Sequence, residues 1–179
     1  DDKINPVKIF CKNIDVDRFN NERLKKINEK EHVFYAIDQG PPWVTDYFDK
    51  NCSAPKNLVL KIGAQVMLLR NIDVEHGFVN GSIGVVEGFT TEGPTVKFQN
   101  GTEVITKEAW EIKEQTVDES GKTKYKVVGS RTQIPLKLCW ACSTHKIQGA
   151  TLERAEIDLN EAFGPHICYV ALSRVRDLE

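Results

Sequence analysis

The 179-residue sequence contains no apolar run near the roughly 20 residues that a helix needs to cross a bilayer, and no signal-peptide pattern opens it. Insertion into a membrane through helices is therefore not expected. It also lacks an excess of either charge: 24 Lys and Arg stand against 26 Asp and Glu, for a net −2. No global basic field advertises a nucleic-acid partner, although a local strip of donors and cations is enough to bind one. Cysteines are few and odd in number. Cys11, Cys52, Cys139, Cys142 and Cys168 are scattered, which argues against a disulfide framework and for a reducing, intracellular compartment. Internal repeats and low-complexity tracts are absent. What remains, 40% hydrophobic and 28% charged, is ordinary for a soluble globular protein of one large or two small domains. The chain starts at Asp1 and ends at Glu179 without a terminating signal, so a piece of a longer protein is expected.

Val7 to Cys11 reads as a short buried strand. Asp15 or Asp17 then caps a helix through Phe19, Leu24 and Ile27, whose spacing is helical. His32 to Ile37 suggests another strand, Pro41-Pro42 interrupts, and a turn or two of helix is expected near Tyr47 and Phe48. From Leu58 the texture becomes β-rich. Short runs are separated by Asn80-Gly81, Gly93-Pro94, Asn100-Gly101 and Ser120-Gly121, which suggests a small closed barrel. After Leu138 a strand, a polar loop, a helix or strand near Ala155 to Leu159 and a helical stretch through Tyr169, Leu172 and Ser173 follow. The layout is an α/β domain split by an inserted β-barrel.

Two motifs are decoys. Gly121-Lys122-Thr123 has the tail of a phosphate-binding loop, but Thr116 stands where the leading glycine is needed, and β-runs lie on both sides. A solvated hairpin turn is the expectation. Cys139-Trp140-Ala141-Cys142 matches C-x-x-C without two further zinc ligands or a helix start. In an apolar strand, positions three apart face opposite sides, so buried, unreactive thiols are expected.

The stretch CWACSTHKIQGATL, residues 139–152, carries more chemistry. Loops leaving the carboxyl edge of an α/β sheet are where ligands bind. Thr144 offers a hydroxyl, His145 a ring N–H and Lys146 a cation, all suited to phosphate oxygens, and Gly149 permits close backbone approach. Alone, this could be a polar loop with a helix cap. A second cluster, Tyr169-Val170-Ala171-Leu172-Ser173-Arg174-Val175-Arg176, follows about 20 residues on. Arginine there is either a solvated charge or a group that stabilises a transferring phosphoryl.

The pairing of S-T-H-K-x-Q-G-x-T with Y-V-A-L-S-R-x-R resembles the last two signature motifs of the superfamily 1 DNA helicases. Within them it is most similar to the Pif-type (petite integration frequency) helicases of the RecD-like branch. Cys11 to Leu24, with Asn21-Glu22-Arg23, resembles the family's fourth motif. LKIGAQVMLLRN and GFVNGSIGVVEGF resemble the start of its inserted SH3-like barrel, the 2B domain. QIPLKLCWAC resembles the return into the second RecA-like domain. The resemblance covers nearly the whole chain and is weakest at residues 38–57 and 112–130.

It implies the fold of a second RecA-like domain (2A, residues 1–57 and 133–179) interrupted by the SH3-like barrel (2B, residues 58–132). It also implies a DNA-stimulated motor moving 5′ to 3′, driven by ATP and Mg²⁺. Arg174 would be the arginine finger, and Gln148, Gly149 and Thr151 would line the nucleotide. Thr144 and His145 would contact phosphates of single-stranded DNA, with Lys146 either assisting in that DNA contact or paired internally, and Asn21 a weaker DNA-binding candidate that positions the neighbouring loop. The partners implied are single-stranded, forked or G-rich DNA and the first RecA-like domain of the same chain, which carries the phosphate-binding loop and Mg²⁺ ligands. These 179 residues alone are then expected to be inactive. The location implied is the nucleus or mitochondrion of a eukaryote or the cytoplasm of a bacterium. The rival expectation is a non-catalytic nucleic-acid or protein binding module built on a degenerate helicase fold.

Overall fold

Val7 and Ile9 alternate with Lys8 and Phe10, and this period of two buries the first pair in strand β1 (Val7–Phe10). The computed structural model describes residues 4–10, 13–117, 121–143 and 155–157. Val16, Asn20 and Leu24, spaced by four, form the buried stripe of α1 (Asn13–Lys25). That helix begins earlier than expected. Asp15 therefore lies in its first turn instead of capping it, where its carboxylate meets the positive end of the helix and accepts from Arg18 at 2.9 Å.

The expected strand at 32–37 is two strands, β2 (His32–Tyr35) and β3 (Ile37–Gln39), broken at Ala36, whose N–H donates to Lys56. The turn near Tyr47 is a nine-residue helix, α2 (Trp43–Asn51), which buries Val44 and Phe48. Strands β4 (Asn57–Leu60), β5 (Gln65–Leu68), β6 (Ile83–Phe89), β7 (Pro94–Phe98) and β8 (Gly101–Val104) follow. After them come β9 (Glu108–Val117), β10 (Thr123–Gln133), β11 (Leu136–Leu138), β12 (Ala141–Ser143) and β13 (Ala155–Ile157). Among the described residues no helix is long and apolar enough to cross a membrane.

Five strands form a sheet in the order β11-β5-β6-β7-β8, each pair antiparallel. Its turn signals act at different distances. The β7–β8 connection is a two-residue turn, Gln99-Asn100, with Gly101 at φ +147° where β8 starts. Asn80-Gly81 instead closes a long loop from Leu69 to Ser82, with Gly81 N–H donating back to Leu68 at 2.8 Å. The sequence suggested a closed barrel; β11 and β8 are the two edges of this sheet, and no ladder joins them among the described residues. Strand pairing also crosses the boundaries anticipated for the insertion, since β3 pairs with β10 in a separate three-stranded sheet, β3-β10-β9, and β11 with β5 in this sheet. One core cluster fills it, with Leu60, Val66, Leu68, Val96, Ile105, Ile134 and Leu136 fully buried. Each such aliphatic side chain stabilises the fold by about 1.5–3 kcal/mol.

The Gly-Lys-Thr decoy lies at the turn of the long β9–β10 hairpin, where Thr123 pairs with Val117 and Gly121 has φ +76°. A hairpin turn, as expected, occupies that place. The base of the hairpin is tied to α2 and β3. Arg131 is 1% exposed; its Nε and Nη2 donate to Asp38 at 2.7 and 2.8 Å, and Nη2 also reaches Asp49. Hydrogen bonding from Arg131 holds the Asp38 carboxyl below its ordinary value. Gly129 permits the close approach of α2, because a Cβ there would stand 2.5 Å from Val44 Cγ2.

Candidate functional site

A parallel three-stranded sheet in the order β12-β1-β13 forms the second layer of interest. Its register sets Lys8 level with Ala141, Ile9 with Cys142 and Phe10 with Ser143. The carboxyl ends of β1 and β12 therefore lie side by side. Residue 144 follows directly from that edge, where loops of α/β sheets bind ligands. Thr144, His145, Lys146, Gln148, Gly149, Thr151 and Arg174 lie outside the described residues, as do Cys11, Cys168 and the stretch through Tyr169, Leu172 and Ser173. The platform from which the polar loop departs is what the structure describes.

That platform is held by a residue that the sequence reasoning passed over. Asn20, 5% exposed on α1, accepts through Oδ1 from the N–H groups of Trp140 (3.0 Å) and Ala141 (2.8 Å). Its Nδ2 donates to the carbonyls of Ala141 (3.0 Å) and Leu138 (3.4 Å). Asn21, the candidate chosen from the sequence, is exposed one position further on. A signal for Asn20 was available: Val16, Asn20 and Leu24 share one stripe, and a polar residue on an apolar helix face asks for a partner.

On the other side, Gln65 is fully buried. Its Nε2 donates to the carbonyls of Cys139 (2.9 Å) and Asn5 (3.1 Å), while Oε1 accepts from Asn5 N–H (2.8 Å). Lys8 N–H donates to Trp140 at 2.9 Å. The run from Leu138 to Ala141 is thus clamped where the chain leaves the five-stranded sheet and enters the parallel one.

This break corrects one expectation about Cys139 and Cys142. They do not face opposite sides, because Cys139 and Trp140 lie between strands; the two thiols share one buried cluster. The neighbouring Cys142 thiol, and then burial, pushes the Cys139 thiol well above its ordinary value. Both remain free thiols buried beside Val7, Ile9 and Met67. No group of three His, Cys, Asp or Glu side chains able to hold a metal occurs among the described residues.

A cleft of about 510 Å³ opens beside the clamp, lined in part by Asp17, Asn20, Asn21, Ser53, Lys137 and Ser143. Ser143 is 1% exposed, and its Oγ has no hydrogen-bond partner among the described residues. An orphaned hydroxyl costs about 1–3 kcal/mol when buried. Here it stands at the strand end that leads into the polar loop. The site offers serine hydroxyls and the Asn21 amide, groups suited to phosphate oxygens, beside the Asp17 and Asp49 carboxylates.

The family model described as "DNA helicase Pif1, 2B domain" matches residues 46–89. The human ATP-dependent DNA helicase PIF1 is 44% identical over 169 residues, covering 92% of this chain and 25% of the human protein. The chain thus spans about a quarter of that relative's length. Unliganded Pif1 from Bacteroides sp. superposes with a TM-score of 0.85 at 29% identity, over 99% of this chain and 40% of that one. Bacteroides Pif1 in complex with ADP-AlF3 and single-stranded DNA gives 0.71, also at 29% identity, over 96% and 38%.

Proposed function

The chain belongs with the Pif1-type helicases as a portion of one, and from that premise we propose that it supplies part of the DNA track and the arginine finger of an ATP-dependent DNA helicase. The observation that carries this proposal is the level register of Phe10 and Ser143, which puts Ser143, the residue before Thr144, at the carboxyl edge of the parallel sheet. A loop in that position can face DNA on one side and nucleotide on the other.

In this proposal Thr144, His145 and Lys146 hold phosphates of single-stranded DNA, with Asn21 a further contact. Gln148, Gly149 and Thr151 line the nucleotide, and Arg174 stabilises charge on the transferred phosphoryl group. The orphaned Ser143 hydroxyl fits a phosphate-facing edge. ATP with Mg²⁺ supplies the hydrolytic free energy when bound, and the phosphate-binding loop and Mg²⁺ ligands belong to a first RecA-like domain elsewhere in the longer protein. Residues 1–57 and 133–179 form the second RecA-like domain, and residues 58–132 the SH3-like insertion. Movement is 5′ to 3′, with forked and G-rich DNA among the substrates. Hydrolysis requires both RecA-like domains, so residues 1–179 alone do not turn over ATP.

The test is ATP turnover by the full-length protein and its Arg174→Ala variant in the presence of single-stranded DNA. A loss of about 10³- to 10⁵-fold, with the melting temperature unchanged, is expected. Turnover equal to the wild type would remove Arg174 from the mechanism.

A further inference from the structure

We infer that Asn20 is a positioning residue for the loop at 144–151, fixing where that loop leaves the sheet and so linking DNA contact to nucleotide turnover. The inference rests on the motor role proposed above for that loop.

The four bonds of Asn20 all fall on backbone, and all on one short run. Oδ1 takes the N–H of Trp140 and of Ala141; Nδ2 gives to the carbonyls of Ala141 and Leu138. An asparagine amide has two donor hydrogens and two acceptor lone pairs, so its capacity is filled. The clamped run is the irregular step between β11 and β12, which no ladder otherwise holds in place from the α1 side. β12 is Ala141 to Ser143, and Thr144 is the next residue in the sequence. A shift at Ala141 therefore moves the strand end at Ser143, two residues on. Alanine at position 20 would leave the Trp140 and Ala141 N–H groups without this partner. Aspartate would keep the shared oxygen and lose both donors. Displacements of about 1 Å remote from the chemistry can reduce turnover by about a hundredfold.

A purely structural role is separable because the molecule holds a matched control. Gln133 is also a fully buried amide with four backbone bonds. It donates to the carbonyls of Phe34, Pro55 and Lys56 and accepts from Ile134 N–H, all away from the 138–143 run. In the full-length protein, melting temperature, basal ATP turnover and turnover at saturating single-stranded DNA are measured for wild type, Asn20→Ala, Asn20→Asp and Gln133→Ala. All three variants are expected to melt lower. Asn20→Ala should lose stimulation by DNA by about ten- to a hundredfold, Asn20→Asp should lose less, and Gln133→Ala should keep the wild-type stimulation. Should Asn20→Ala fail to fold, the contrast between Asn20→Asp and Gln133→Ala decides. Stimulation preserved in the Asn20 variants, or lost equally in Gln133→Ala, would overturn the inference while leaving the motor role standing. A wild type that DNA does not stimulate would instead remove the motor role, and this inference with it.

Discussion

The five-stranded sheet and the parallel sheet share the run from Leu136 to Ser143, yet different forces hold them. In the first, apolar side chains from β4 to β7 and from residues 105, 134 and 136 meet in one buried cluster. In the second, and wherever one sheet joins another element, buried polar side chains make the joint: Asn20, Gln65 and Gln133 grip backbone, and Arg131 grips the Asp38 and Asp49 carboxylates. Apolar burial is non-directional, so it makes a layer stable without fixing where its neighbours attach. Hydrogen bonds are directional and costly to leave unmade, so they fix attachment. The region proposed to carry chemistry is the one fixed by the polar grip.

The largest expected effect comes from breaking a polar joint. Arg131→Met strands the largely buried Asp38 carboxylate, and unfolding in denaturant should show a loss of about 3–5 kcal/mol. A loss below 1 kcal/mol would place the joint outside the stability of the fold. Leu68→Ala, in the apolar sheet, should cost about 3 kcal/mol by transfer and cavity formation. Unlike changes at Asn20, it should leave DNA stimulation of turnover intact in the full-length protein.

Gly129→Ala forces Val44 away from β10 and should cost about 2 kcal/mol by overpacking, read in the same denaturation assay. Acid offers a subtler contrast, because the apolar cluster contains no ionisable group and the Arg131 joint does. The Asp38 carboxyl is held low, chiefly by its hydrogen bond with Arg131, so its stabilisation is complete above the ordinary carboxylate value of about 3.9. It is lost as pH falls from there through the lower folded value. Unfolding free energy measured from pH 7 to pH 2 should decline less steeply below pH 4 in Arg131→Met than in wild type. The smallest effect belongs to Lys97→Ala, which removes a 4.0 Å exposed pair with Glu87 and should change stability by no more than about 0.5 kcal/mol.

The same contrast explains what could be read from the chain beforehand. Strand β1 was visible in the alternation of Val7 and Ile9, and the β6–β8 meander in Gly93-Pro94 and Asn100-Gly101, because these signals act over a few residues. The break at Cys139-Trp140 was not visible, since it is imposed by Asn20 and Gln65 from more than 70 positions away. Nor was the open order of the five-stranded sheet, because turn residues announce hairpins without saying whether the edges meet. Asn21 was chosen over Asn20 because a motif likeness weighs residue type and order. The helical stripe of Val16, Asn20 and Leu24 would have shown which of the two asparagines faces inward.

The most direct measurement is ATP hydrolysis by the full-length protein across a titration of single-stranded DNA. If the loop after β12 joins DNA to nucleotide, turnover rises strongly and saturates as DNA is added. An equal rate with and without DNA would contradict that link and favour a binding module on a helicase-like fold.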